Sequence, residues 1–437
     1  FTTQVALATA TGSAGAINAG AGTADRLIVT ASTDITEAIG ALYTNFEQLQ
    51  VNNGVSVDLD HVSGITSIRV NQGANATGVT DMSAAQAAAV TIVGTGAGAT
   101  TLAVKAAATI GQIDTVTLAV DDGATAVADL LLTTPILAGV ENLVINAAED
   151  ALSITALTGA AALTSIKVNA THANTQTTAI VSGAVAFGAN THIDASGSTA
   201  PVSINLNGII NTTGASATRI SGGSGNDTLR TSGAGTLSDV VQGNGGIDTI
   251  TITNDAATAE VVTVISEATT STSADFITGF QSAEDEFDYN GGLTNGSGSG
   301  AISTAEVTSA ATIVAALATA DAANDTVFIA TTDATNAQFD TTLDAFTASA
   351  ASLTAANAQA VENDALATGG YFNGAMANLD TILSATDVVL FVVPTDAHVA
   401  IWRITNTSTA IANTLIDSEI ELIAVNTLID MVQADFM

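Results

Sequence analysis

Two stretches of the chain repeat one another with divergence: "FEQLQVNNGVSVDLDHVSGITSIRVN" at 46–71 and "VENLVINAAEDALSITALTGAAALTSIKVN" at 140–169. In their first strands Leu49 and Val51 correspond to Leu143 and Ile145. In their later strands Ile68 and Val70 correspond to Ile166 and Val168. Each pair is spaced by two, which points both side chains to one face of a strand. Gly, Asn and Asp fill the turn positions between them. "TIVGT", "TLAVKA", "TVTLAV" and "PVSINLN" are further strands of this kind. Strands returning roughly every ten to twenty-odd residues, with Ala and Gly between, predict stacked coils. The expected fold is mainly β, with β-solenoid or β-roll-like strand arrays; the competing reading is an Ig-like sandwich.

Composition agrees with narrow coils. Of 437 residues only 4% are aromatic and 11% charged, and the apolar content is largely Ala, Val, Ile and Leu. That length predicts two or three domains. Charge is lopsided, with 42 acidic residues against seven basic ones and a formal net charge of -35. No cationic surface exists to bind a phosphate backbone, so nucleic acid is excluded as a partner. Self-repulsion of this size calls for compensating cations, and hard divalent ions suit carboxylates. The chain has no cysteine, which removes disulfides, thiolate zinc sites and thiol redox chemistry. No apolar run of about 18 residues occurs, so no membrane span is expected. The opening "FTTQVALATATGSAG" lacks a basic n-region and does not read as a signal peptide.

The block "ISGGSGNDTLRTSGAGTLSDVVQGNGGIDTIT", 220–251, carries the chemistry. Gly222, Gly223, Gly225, Asp227 and Leu229 fill every specified place of the nonapeptide G-G-x-G-x-D-x-U-x, with U aliphatic. A later copy has Gly243, Gly246, Asp248 and Ile250, with Asn244 in place of the second glycine. Nine residues before that copy lies a degenerate one with Gly235, Asp239 and Val241; another, before the first, keeps Gly214 and Ile220 but has Thr218 for the Asp. The register slips by three residues between the first copy and the degenerate one that follows it. This is the nonapeptide pattern of calcium-binding repeats. Glycines allow the turn and expose carbonyls, Asp supplies a carboxylate to a cation shared between coils, and the aliphatic residue fills a thin core. The expected metal ligands are Asp227, Asp239, Asp248, Asp275, Asp285 and Asp288, with carbonyls from Gly223, Gly225, Gly243 and Gly246. The expected cofactor is Ca2+.

The block resembles the RTX (repeats-in-toxin) β-roll of exported Gram-negative proteins. The following "DFITGFQSAEDEFDY" is similar to the segment that trails RTX repeats: Asp275, Ile277, Phe280, Asp285, Phe287 and Asp288 match, whereas Gly279 and Ala283 depart from it. The tail "LIDMVQADFM" resembles an uncleaved type I secretion signal. These likenesses imply export and calcium, not an activity. The strand texture before the block, with "VENLVIN" and "LTSIKVN", resembles RTX-type S-layer proteins, which form calcium-dependent lattices on the cell surface. The resemblance therefore implies a secreted protein at the outer cell surface. Its partners would be further copies of itself, lipopolysaccharide or another surface glycan, and the type I secretion machinery.

No enzyme motif competes with this. His61, His172, His192 and His398 include no H-E-x-x-H, "GSGSG" at 296–300 puts Gly in the nucleophile position, and "GTGAG" at 94–98 is expected to be a turn between strands. The paired acids Asp58/Asp60 and Asp121/Asp122 are expected at solvated edges or on cations. The chain is thus expected not to be an enzyme. An RTX adhesin fragment is the alternative, and a polysaccharide-active enzyme with a solenoid site is a third reading.

The expected domains are 1–212, a strand array; 213–292, the RTX-like block and bridging segment; and 293–437, a small α+β module with the secretion tail. In the last, "STAEVTSAATIVAALATA" predicts a helix capped by Ser303 with Glu306 three residues on. "DTVFIAT" predicts a strand, and "DTTLDAFTASAASLTAANAQAVENDALATGG" a helix ending in glycine. "DVVLFVVPTDAHVAIWRITN" predicts a hairpin about Pro394, Thr395 and Asp396.

Overall fold

A computed structural model describes residues 16–94, 96–105, 113–121, 130–173, 176–181, 191–207, 217–232, 238–253, 261–268, 270–282, 284–290, 303–307, 326–330, 342–343, 353–367, 371–372, 388–395, 397–405, 419–427, 431 and 435–436. The chain is mainly β, and its parallel coils stack as a β-solenoid rather than as a sandwich. It divides into two compact units, residues 1–220 with 232–236, and residues 221–231 with 237–437.

In the first unit each coil gives one strand to each of two sheets. One sheet runs Arg26–Val29, Gln48–Val51, Ser67–Asn71, Val90–Val93, Thr115–Val120, Asn142–Ala147, Ser165–Ala170 and His192–Asp194. The other runs from Ser56–Asp58 through Thr77–Met82, Gly96–Val104, Leu130–Ile136, Leu152–Ile154 and Thr178–Val181 to Val202–Asn205. Every described pairing between these strands is parallel.

Register explains the aliphatic spacing. Leu27, Leu49, Ile68, Val90, Leu118, Ile145 and Val168 stand in one row, each opposite the next. All are at most 2% exposed. Full burial of such a side chain contributes about 1.5–3 kcal/mol relative to exposure. The outward positions between them carry Gln48, Gln50, Ser67, Arg69, Thr115, Thr117 and Asn142, all half-buried. The two sequence repeats are each a strand and the neighbour onto which it stacks: Gln48–Val51 pairs with Ser67–Asn71, and Asn142–Ala147 with Ser165–Ala170. The expected turn at 94–98 is only partly one. Gly94 has φ +84, but Gly96 already starts a strand, and it runs so close to the previous coil that a Cβ there would stand 2.0 Å from the Gly73 carbonyl oxygen.

In the second unit one sheet holds Asp239–Gln242, Val262–Ser266 and Glu286–Tyr289. The other stacks Thr228–Arg230, Thr249–Thr251 and Asp275–Thr278, with Leu229 opposite Ile250 and Ile250 opposite Ile277. The slip of three residues in the nonapeptide pattern is thereby explained. Leu229 stacks on Ile250, 21 residues on, and the slip falls between strands Thr228–Arg230 and Asp239–Gln242, where residues 233–237 lie outside the described residues.

The α+β module continues the second sheet. Ile420–Asn426 lies parallel to Asp275–Thr278, then antiparallel to Val399–Thr405, which forms the expected hairpin with Val388–Pro394. Thr395 closes that hairpin, its hydroxyl accepting from the His398 N–H at 2.9 Å; Asp396 lies outside the described residues. Thr326–Ala330 is the expected strand.

Two helix expectations need correction. Ser303–Val307 is a strand, paired in parallel with Thr326–Ala330 over all five residues. A capping-box spacing is a local preference, and the backbone partners of a sheet edge outweigh it, with β-branched Thr304 and Val307 suited to a strand. The rest of that segment, 308–320, lies outside the described residues. In "DTTLDAFTASAASLTAANAQAVENDALATGG" the described helix is Ala355–Leu366, with Thr354 at its N-cap and Ala367, not glycine, at its C-cap; residues 344–352, Gly369 and Gly370 lie outside the described residues.

Candidate metal centre

Asp227, Asp248 and Asp275 each stand at the entry to a strand of the same sheet, two residues ahead of inward-facing Leu229, Ile250 and Ile277. The stacking of the coils places them in one column. The Asp227 N–H donates to Asp248 Oδ1 at 2.7 Å, and the Asp248 N–H donates to Asp275 Oδ1 at 3.2 Å. Main-chain bonds follow the same path, from the Thr249 N–H to the Asp227 carbonyl and from the Phe276 N–H to the Asp248 carbonyl. The three aspartates are 1%, 0% and 2% exposed.

Glycines make room for these carboxylates. A Cβ on Gly243 would lie 2.1 Å from Asp248 Oδ2, and one on Gly222 would lie 2.5 Å from Asp227 Oδ2. The Gly223 N–H donates to Asp227 Oδ2 at 2.5 Å. Gly246, at φ +100, takes a left-handed turn conformation against the Gly225 carbonyl, which a Cβ would meet at 2.4 Å. Two glycine carbonyls are acceptors between coils: Gly223 receives the Gly245 N–H at 3.0 Å, and Gly222 receives the Asn244 side-chain amide at 2.6 Å.

Electrostatics mark the column as unusual. Burial pushes the Asp248 carboxyl up to about 8, and the charge of Asp227 adds to the rise. Burial and the charge of Asp248 raise Asp275 well above the usual carboxylate range. No donor group reaches the buried Asp248 Oδ2, and the Asp248 and Asp275 carboxyls are close enough to share a proton. Calcium is implied by the repeat pattern, and these residues fit it on two counts: a buried carboxylate oxygen that no donor group reaches, and a glycine-lined cradle that a Cβ would fill. The donor set is hard oxygen throughout. Carboxylates are stacked here, not convergent, and among the described residues no group of three or more His, Cys, Asp or Glu side chains encloses a single point. If a cation is held here, Asp227, Asp248 and Asp275 are the residues that would hold it, and it would neutralise their buried charge.

The other expected ligands are placed elsewhere. Asp239 and Asp285 open strands of the opposite sheet, two rungs apart. Asp285 Oδ1 accepts the Val262 N–H at 3.0 Å and its Oδ2 accepts the Gln281 N–H at 2.7 Å. Asp288 faces outward, half-buried, with its carboxyl raised by burial. The structure does not bring Asp239, Asp285 or Asp288 into the Asp227–Asp248–Asp275 column. Of the paired acids, Asp60 binds Lys105 at 2.6 Å and Asp121 faces Arg69 at 3.6 Å. His172 is a buried histidine, its Nε2 3.2 Å from the Thr178 hydroxyl.

The device of a carboxylate at a strand entry extends into the first unit, where the sequence reading did not look for it. The Asp25 N–H donates to Glu47 Oε2 at 3.0 Å, and the Asp114 N–H donates to Glu141 Oε2 at 2.8 Å. Each of these acids lies two residues before an inward aliphatic residue: Leu27, Leu49, Val116 and Leu143. That spacing is the signal by which they could have been found.

Comparison with protein families, curated proteins and solved structures finds no match to this chain. Among the described residues no helix is long and apolar enough to cross a membrane.

Proposed function

We propose that this chain is an exported structural protein of a bacterial surface layer that assembles with copies of itself when calcium is bound. The observation that carries the reading is the buried Asp227–Asp248–Asp275 column, with an Asp248 Oδ2 that no donor group reaches. Stacked carboxylates shielded from water are costly unless a proton or a cation neutralises them. Calcium is abundant outside cells, and the RTX resemblance of residues 220–290 supports the same ion and the same location. A net charge of -35 supports calcium bridging between subunits as well as within one. In this reading the type I machinery exports the chain, and a surface glycan such as lipopolysaccharide anchors the layer.

Electron microscopy of the purified chain with and without millimolar calcium tests it. Ordered sheets or filaments only with calcium are the expected result. Single dispersed particles in both conditions would remove assembly and leave the adhesin reading in its place.

A further inference from the structure

Two acids of the first unit lack the donor that stacking supplies to their neighbours. At a strand entry the N–H of one coil donates to the carboxylate of the next, as Asp25 does to Glu47, Asp114 to Glu141 and Asp227 to Asp248. Asp25 and Asp114 head such pairs, so a donor for their own carboxylates would have to come from the coil before. For Asp114 that coil contains Val90–Val93, with Val90 opposite Leu118. The residue there in register with Asp114 is Gln86. It lies in helix Ala84–Ala87, where its N–H is taken up by the Ser83 hydroxyl at 3.3 Å. Asp25 stands at a sheet edge, just ahead of the outermost described strand, Arg26–Val29. Asp25 Oδ2 and Asp114 Oδ2 are both buried, and no donor reaches either. The two residues are 4% and 8% exposed.

A buried polar atom that no protein group serves is met by a water or an ion. Each of these corners holds a second carboxylate against the aspartate main chain, with Glu47 Oε2 at 3.0 Å from the Asp25 nitrogen and Glu141 Oε2 at 2.8 Å from that of Asp114. That bond uses one oxygen of each glutamate and leaves Oε1 for another partner. Among the described residues no ion pair involves any of the four acids. A water would leave such paired carboxylates uncompensated, whereas a hard divalent cation neutralises them. Gly22 leaves room for Asp25 Oδ2 where a Cβ would collide with it, as Gly243 does for Asp248 Oδ2. The arrangement also recurs, since Glu47 and Glu141 hold the same place in the two sequence repeats. We propose that Asp25 with Glu47, and Asp114 with Glu141, each hold a divalent, oxygen-seeking cation, at two sites of the first unit outside the nonapeptide block. They stand whether or not the aspartate column takes calcium.

Calorimetric titration of calcium into the full chain tests this, in about 0.15 M salt so that distant surface charge is screened. The parent is the Asp248→Asn chain, which removes the central acid of the column. The expected result is that this parent still takes up calcium, and that Asp25→Asn and Asp114→Asn each remove one bound ion from it. Glu47→Gln and Glu141→Gln should each do the same. Both keep an acceptor for the aspartate N–H, so in chelator they should unfold at the temperature of the parent. Glu149→Gln, which alters an exposed acid of a turn, should bind as the parent does. A parent that takes up no calcium, or corner variants that keep its stoichiometry, overturn the sites and leave the buried oxygens to a proton or a water. An equal loss in Glu149→Gln overturns them too, since the uptake would then be diffuse screening of the net charge. A parent that binds as many ions as the wild type argues against the column instead and leaves the corners standing.

Discussion

Asp227 donates its main-chain N–H to the carboxylate of Asp248, one coil further on, at 2.7 Å. The acid of the nonapeptide pattern is therefore a main-chain acceptor between coils as well as a candidate ligand. Asp248 is fully buried and its carboxyl is pushed up to about 8, against about 4 in an unfolded chain. Because the folded value is raised, the protonated acid stabilises the fold fully below about pH 4, and that contribution is lost as pH climbs through about 8. In chelator, the unfolding transition reported by Trp402 should therefore fall in temperature from pH 5 to pH 8. Asp248→Asn should flatten this trend, since the amide oxygen still accepts from Asp227 and carries no charge. Calcium should act in the opposite direction, stabilising more as pH rises, because it binds the ionised carboxylates. A chelator profile that is flat for the wild type would contradict the buried acid.

Gly243 and Gly245 sit two residues apart in the same turn and should respond unequally to substitution. A Cβ on Gly243 would lie 2.1 Å from Asp248 Oδ2, while one on Gly245 would meet nothing closer than the Ser224 Cα at 3.6 Å. Gly243→Ala should cost about 1–3 kcal/mol as an overpacked site and should also weaken calcium binding. Gly245→Ala should stay within about 0.5 kcal/mol. Thermal unfolding and calcium calorimetry of the two variants separate these outcomes, and equal effects would mean that the carboxylate does not rest on Gly243.

The interior of the solenoid was readable because it obeys a period of two. Leu49/Val51 and Ile68/Val70 could be placed on one face from spacing alone, and they lie on one face. The slip of three residues after Asp227 was visible as well, although only the pairing shows that Leu229 stacks on Ile250 in spite of it. Glu47 and Glu141 were missed for a different reason. In a chain with 42 acids, one ahead of a strand resembles any solvated edge, and its amide partner lies 22 or 27 residues away. Ser303 and Glu306 misled because S-x-x-E describes a local option, whereas Ser303–Val307 is fixed by its pairing with Thr326–Ala330. That Ile247 and Ala274 pack against Phe328, Phe391 and Trp402 could not be read at all, since those residues lie more than about fifty positions further along.

Glu141 gives a test of the same corner device away from any glycine block. Its Oε2 accepts the Asp114 N–H at 2.8 Å, and its own main-chain carbonyl accepts the N–H groups of Thr164 and Ser165 in the next coil. Glu141→Gln keeps an acceptor oxygen and should change the stability of the first unit by less than about 0.5 kcal/mol. Glu141→Ala leaves a partly buried N–H without its carboxylate and should cost about 1–2 kcal/mol. Hydrogen exchange at the Asp114 amide should quicken in the alanine variant only. If both variants exchange alike, the side chain is not what protects that amide.

Leu118 and Thr117 are neighbours in strand Thr115–Val120 that face opposite ways. Leu118 is fully buried between Val90 and Ile145 of the flanking coils, while Thr117 is half-buried on the outer face. Leu118→Ala should cost about 2–5 kcal/mol, because rigid coils on both sides leave little freedom to close the cavity. Thr117→Ala should fall within about 0.5 kcal/mol. Since each coil touches chiefly its two neighbours, the damage from Leu118→Ala should be local at first. Amide exchange should speed up in strands Val90–Val93 and Asn142–Ala147 and stay unchanged at Arg26–Val29. Uniform acceleration across the first unit would instead mean that its coils unfold as one cooperative body.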